Sequence, residues 1–134
     1  MTTNSASNVI ETTAYFTWMD EDGIGRTRVK PQSEITLKEA KENSVAVNSL
    51  FRGKNFPLLI DSREIRSITK ESRDFFSMNN RESHVIAFAI IIDSPLSRII
   101  GNFFMGLNKP RVPTRLFNNE TDALNWLKEF LTKP

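Results

Sequence analysis

Val85-Ile86-Ala87-Phe88-Ala89-Ile90-Ile91-Ile92 runs for eight residues without a polar side chain and is followed at once by Asp93-Ser94-Pro95. A run this short falls far below the roughly 20 residues that cross a bilayer, and its β-branched and aromatic content suits a strand. A strand with one wet face alternates between apolar and polar, whereas one that is apolar at every position is covered on both faces. The run therefore predicts an inner strand of a sheet that carries helices.

Its flanks support that reading. Ser94 supplies an N-cap and Pro95 the first helical position. Leu96, Ile99, Ile100, Phe103, Phe104 and Leu107 then recur at helical spacing, so a helix is expected over 94–107. Asn108-Lys109-Pro110 stops it, Thr114 to Phe117 form a short strand, and Asn119 caps a last helix with Asp122 in its first turn. Ala123, Leu124, Leu127, Phe130 and Leu131 are its inner face.

Upstream, Phe56 to Asp61 is a second compact apolar strand and Thr69 to Phe76 a short helix. Leu37, Ala40, Ser44, Val47 and Phe51 mark a longer helix that opens on a Thr36/Glu39 capping box. Before it, Val9 to Met19 and Ile24 to Val29 read as strands joined by the turn Asp20-Glu21-Asp22-Gly23. The order β-β-α-β-α-β-α-β-α predicts an α/β fold. Its sheet is mixed and mostly parallel, of about five strands, opening with an antiparallel hairpin and accompanied by four helices.

With 134 residues, 39% of them hydrophobic and 25% charged, the chain suits one folded domain over 9–134. Residues 1–8 are rich in Thr, Ser and Asn and lack the basic and apolar regions of a signal peptide, so a disordered tail and a cytoplasmic protein are expected. The absence of cysteine removes disulfides, thiolate catalysis and cysteine-bound metals. A net charge of +2 is too small to imply nucleic acid, and no basic stripe interleaved with aromatics runs along the chain.

In open α/β sheets ligands sit beyond the carboxyl ends of parallel strands. Those positions hold Asp61-Ser62, Asp93-Ser94 and Asn118-Asn119. Such residues can bind a cation or orient a nucleophilic serine, but the same types cap helices and close turns, and capping is the preferred reading. His84, the only histidine, precedes the apolar strand at its opposite end, so no Ser-His-Asp set assembles. Gly101 and Gly106 fall inside or at the end of the expected helix with the bulky Asn102-Phe103-Phe104-Met105 between them, so they make no phosphate loop, and neither a metal nor a cofactor is expected.

The segment 99–113 is more apolar than a half-exposed helix needs. Phe103, Phe104 and Met105 are read there as apolar contacts, and Arg98, Lys109, Arg111 and Arg115 as groups that attract an anion or an acidic partner. Tyr15, Trp18 and Trp126 are further candidates for a binding platform, against the commoner role of core packing. The edge of the N-terminal hairpin points to a homodimer.

The opening hairpin, Pro57-Leu58-Leu59-Ile60-Asp61, the strand Ala87-Phe88-Ala89-Ile90-Ile91-Ile92, and Arg115-Leu116-Phe117 before Ala123-Leu124-Asn125-Trp126-Leu127 together resemble the SpoIIAA-like, or STAS-like, bacterial domains. The resemblance implies that fold. In phosphorylatable members an Asp-Ser-Ser/Thr-Gly loop accepts phosphate from an anti-sigma kinase. The corresponding stretch here, Ile68-Thr69-Lys70-Glu71-Ser72-Arg73, lacks that pattern. The expectation is therefore a non-catalytic regulatory or protein-interaction module outside the conventional anti-sigma antagonist role. The second expectation follows a likeness to CRAL-TRIO lipid-transfer cores: a carrier or sensor of an apolar small molecule or lipid, resting on a membrane surface through helix 94–107.

Overall fold

The computed structural model describes residues 9–79, 84–95, 98–99 and 112–131, with the side chains of 76–79 left aside. The chain opens with β1 (Ile10–Glu11), β2 (Tyr15–Met19) and β3 (Gly25–Val29), successive antiparallel neighbours. The β2–β3 turn is set by Asp20, whose Oδ1 accepts from the backbone N–H of Asp22 at 2.9 Å and of Ile24 at 3.0 Å. Gly23 sits there at φ +88°, a conformation that a Cβ would oppose.

After β4 (Ser33–Ile35), helix α1 (Leu37–Phe51) begins as the capping box predicts: the Thr36 N–H donates to Glu39 Oε1 at 2.8 Å, and the Thr36 hydroxyl bonds the same oxygen. That hydroxyl bond, first among the causes, holds the Glu39 carboxyl below its ordinary pKa. Arg52, in the left-handed region, ends the helix by donating its N–H to the Asn48 carbonyl at 3.2 Å. β5 (Phe56–Asp61), β6 (Ile65–Ile68) and α2 (Lys70–Asn79) follow, with Thr69 Oγ1 accepting from the Ser72 N–H at 3.2 Å as the N-cap. β7 (Val85–Ile91), β8 (Thr114–Phe117) and α3 (Glu120–Lys128) complete the described elements, α3 capped by Asn119 Oδ1 on the Asp122 N–H at 2.8 Å.

The sheet order is β1-β2-β3-β5-β7-β8, with β3, β5, β7 and β8 parallel, and β4 and β6 pair separately as a parallel two-stranded strip. The sheet thus has six strands where about five are expected, because the strand expected over Val9 to Met19 breaks after Glu11 and folds back on itself as the antiparallel pair β1 and β2; the β4–β6 strip is a further addition. Three complete helices lie among the described residues. The fourth expected helix, over 94–107, starts as read, with the Ser94 carbonyl accepting from the Arg98 N–H at 2.9 Å. Its remainder lies outside the described residues.

One sheet face packs on α1 through Val47 and Phe51 against Leu58 and Val85, and on α2 through Phe75 beside Tyr15, Val29 and Ile35. A buried polar link locks α1 there. Thr17 Oγ1 donates to Asn43 Oδ1 at 2.8 Å, which leaves Thr27 to donate to Thr17 at 3.2 Å. The other face carries Leu59, Ala87, Ala89 and Ile91 beneath Ala123 and Leu127 of α3. The apolar run of β7 is covered on both sides, as its composition demands.

Candidate functional site

The carboxyl ends of β5 and β7 bring Asp61-Ser62 and Asp93-Ser94 to one edge of the domain. Asp61 is buried and held by its near neighbour: Arg63 donates from Nε to Oδ1 at 2.9 Å and from Nη2 to Oδ2 at 2.7 Å, and the Arg63 N–H adds a third bond at 3.1 Å. Burial pushes the Asp61 pKa up, but these bonds and the charges of Arg63 and Arg28 outweigh it and leave the carboxyl below its ordinary range. Arg63 is shifted up, first by its bond to Asp61 and then by the charges of Asp61, Asp93 and Glu120. Ser62 is buried too, its hydroxyl donating to the Ile91 carbonyl at 2.8 Å. A serine so engaged ties β5 to β7, its proton given to a backbone carbonyl rather than to a side-chain base. His84 stands at the opposite end of β7, with Nδ1 3.1 Å from Asn55 Oδ1. Among the described residues, no three His, Asp or Glu side chains form a metal-binding group.

A different surface emerges on the sheet face that α3 shares. Side chains opposite one another across an antiparallel pair stand on one face. The β2–β3 register places Phe16 opposite Arg28 and Trp18 opposite Arg26. The Arg28 guanidinium lies 5.9 Å from the Phe16 ring centre, Lys30 Nζ lies 5.1 Å from the same ring, and Arg26 lies 5.4 Å from Trp18. Phe16 and Trp18 belong to none of the three core clusters found among the described residues. The sequence shows no basic stripe interleaved with aromatics because the interleaving runs across strands.

Of these cations, Arg26 is the structural one. Its side chain is 14% exposed, and its two terminal nitrogens donate to Asp20 Oδ2 at 3.2 Å and Glu120 Oε2 at 2.8 Å, fastening the hairpin to the start of α3. Lys30 donates to Glu11 Oε2 at 2.6 Å. Arg28 is exposed and has no ion-pair partner within 4.0 Å among the described residues.

Of the anion-attracting residues read from the sequence, Arg98 is exposed near the β7 end, and Arg115 stands on β8 with its guanidinium 5.3 Å from Phe117 and 5.7 Å from Trp126. Trp126 also meets Phe130 edge-on at 4.9 Å, so it is a packing residue carrying a cation rather than a bare platform. Phe103, Phe104, Met105, Lys109 and Arg111 lie outside the described residues. No described helix is long and apolar enough to cross a membrane. An open groove of about 590 Å³ runs between β1 and α1, past Ile10, Thr12, Val45 and Ala46.

A family model described as Domain of unknown function (DUF7793) matches residues 17–131. The chain belongs to this family. The matched span of the DUF7793 chain holds Arg28, Lys30, Asp61, Arg63 and Arg115, while Phe16 stands one residue before it. Among solved structures, it is similar to an uncharacterized protein of the DUF3478 family, with a SpoIIAA-like fold, from Shewanella loihica PV-4. The two share 17% identity and superimpose with a TM-score of 0.59 over 95% of this chain and 98% of the other. The SpoIIAA-like fold expected from the sequence is thereby shown. No curated protein matches the DUF7793 chain in sequence.

Proposed function

We propose that this chain is a non-catalytic regulatory or protein-interaction module. The observation that carries the reading is the state of the strand ends, where the fold places ligands most often. Asp61 is bound in full to Arg63, and the Ser62 hydroxyl is bound to a backbone carbonyl. Acyl or phosphoryl transfer needs a nucleophile within reach of a base, and neither Ser62 nor Asp61 is held in that way. What the described surface presents instead is recognition chemistry: cations set on aromatic rings along the β2–β3 part of the sheet.

The test compares the wild-type chain with the Asp61→Asn/Ser62→Ala/Asp93→Asn variant on a panel of esters, phosphoesters and amides. Equal background rates are expected from both, and turnover by the wild type alone would replace this reading with an enzyme. Native mass spectrometry of freshly purified chain supplies the second arm. A bare mass is expected, whereas a co-purifying lipid would move the assignment to a carrier.

A further inference from the structure

We propose that the β2–β3 half of the sheet face docks an acidic, extended segment of a partner protein, with Arg28 and Lys30 as the anchoring cations. The proposal rests on the interaction-module reading and adds the partner's chemistry to it.

Three observations lead there. First, Arg28 and Lys30 converge on one ring, Phe16, at 5.9 and 5.1 Å; among the described residues Glu11 is the one acid within ion-pair distance of either, and Asp61, opposite Arg28 across β3 and β5, is held by Arg63. Asp61 feels the Arg28 charge but gives both its oxygens to Arg63, so among the described residues no carboxylate sits at the Arg28 guanidinium, and one from a partner can take that place. Second, the one acid present is replaceable. The Glu11 side chain is 62% exposed on a two-residue edge strand, and exposed ion pairs of this kind contribute little to stability. Third, Arg28 and Lys30 are two residues apart in extended chain, which separates their Cα atoms by about 6.6 Å. Alternate side chains of an extended partner segment recur at that same interval, so two acidic residues at i and i+2 match the two cations in register.

The same geometry argues against bases as the ligand. Sequence-tolerant binding of single strands stacks bases on open aromatic faces. Here Phe16 and Trp18 already hold cations against their rings. A guanidinium stacked on a ring keeps its N–H edge outward, and that edge pairs with carboxylate in a two-pronged contact. Arg26, tied to Asp20 and Glu120, positions Trp18 and takes no part in the docking.

The experiment titrates the isotope-labelled full chain with a short synthetic peptide alternating Glu and Val, at low salt, while amide shifts are followed by NMR. Saturable shifts confined to Phe16, Trp18, Arg28, Lys30 and their neighbours are expected. Arg28→Glu should weaken binding roughly tenfold or more, whereas the equal charge change Lys54→Glu, on an exposed residue of the connection between α1 and β5, should move it less than about twofold. Shifts spread evenly over the surface, or equal losses in the two variants, would overturn the docking face. So would tighter binding of a single-stranded oligonucleotide than of the peptide. These outcomes differ from failure of the underlying reading, which shows as turnover by the wild type. A protein partner that binds Arg28→Glu unchanged would remove this face and leave the module.

Discussion

Phe51 lies directly over Gly25: a Cβ built on Gly25 would stand 2.8 Å from Phe51 Cε1 and 3.0 Å from Leu58 Cδ1. The last residue of α1 thus rests on bare backbone of β3, and the closeness of helix and sheet depends on a missing side chain. Phe51 is 1% exposed and meets Phe56 edge-on at 5.0 Å, so its ring has nowhere to go. Gly25→Ala should destabilise the chain by about 1–3 kcal/mol through overpacking. Combining it with Phe51→Leu should cost less than the two changes summed, by about 0.5–3 kcal/mol of coupling, because the smaller side chain makes room for the methyl. Urea unfolding of the four proteins of this cycle is the measurement, and strict additivity would contradict the contact.

Ser62 is the residue at which catalytic and structural readings part most cleanly. Its hydroxyl and its N–H both donate to the Ile91 carbonyl, at 2.8 and 3.2 Å. Removing the hydroxyl leaves the carbonyl one donor, so Ser62→Ala should cost about 1 kcal/mol, the net worth of a single hydrogen bond. Chemical denaturation measures that loss. An unchanged midpoint would mean that the bond contributes nothing and that the hydroxyl is held there for another purpose.

The order of the main elements was legible because each announces itself locally. Asp20 and Gly23 make a turn from their own chemistry, Thr36 and Glu39 start α1, and the apolar run of β7 can lie only between covered faces. Ser33–Ile35 and Ile65–Ile68 escaped because strands of three and four residues, half of them polar or charged, carry no period; their pairing comes from two connections running side by side into α1 and α2. The aromatic and cationic surface escaped for a related reason. Phe16 and Arg28 stand twelve residues apart in a chain that gives no hint of their contact, and only the β2–β3 register sets one opposite the other. At the strand ends, the positions of Asp61 and Ser62 were legible but their state was not, since Arg63 and Ile91 become their partners only through folding.

Asp61 supplies an acid-side prediction with a definite sign. Its folded pKa lies below its unfolded value, about 3.9 for Asp. The pairing with Arg63 therefore contributes its full stability above about pH 4, and that contribution is lost as the pH falls through the folded pKa. Arg63→Ala retains the burial, which on its own raises the pKa, and removes the side-chain bonds that lower it. The loss of stability below about pH 4 should then be shallower than in the wild type, and Asp61→Asn, which has no proton to gain, should be shallower as well. Thermal midpoints across the acid range decide the matter; parallel curves for wild type and Arg63→Ala would show that the pair does not govern this titration.

Tyr15 provides the alkaline counterpart, and it is the only tyrosine in the chain, so phenolate absorbance reports on it alone. It is 4% exposed beneath α1 and α2, and burial first, then the charge of Glu39, raises its pKa far above the ordinary value of about 10. A raised folded pKa adds stability that is complete below about pH 10 and is lost as the pH climbs above it, because the unfolded chain releases the proton first. The absorbance rise should accordingly coincide with the loss of circular dichroism rather than precede it. Tyr15→Phe should weaken the alkaline decline of stability. Phenolate appearing near pH 10, the ordinary value, in a chain still folded would place Tyr15 at the surface. Because Phe16, the next residue, turns to the opposite face of β2, saturating the chain with the acidic peptide should leave the folded chain's protection of Tyr15 unchanged. A phenolate that appears at lower pH once the peptide is bound would show that the two faces of this strand are not independent.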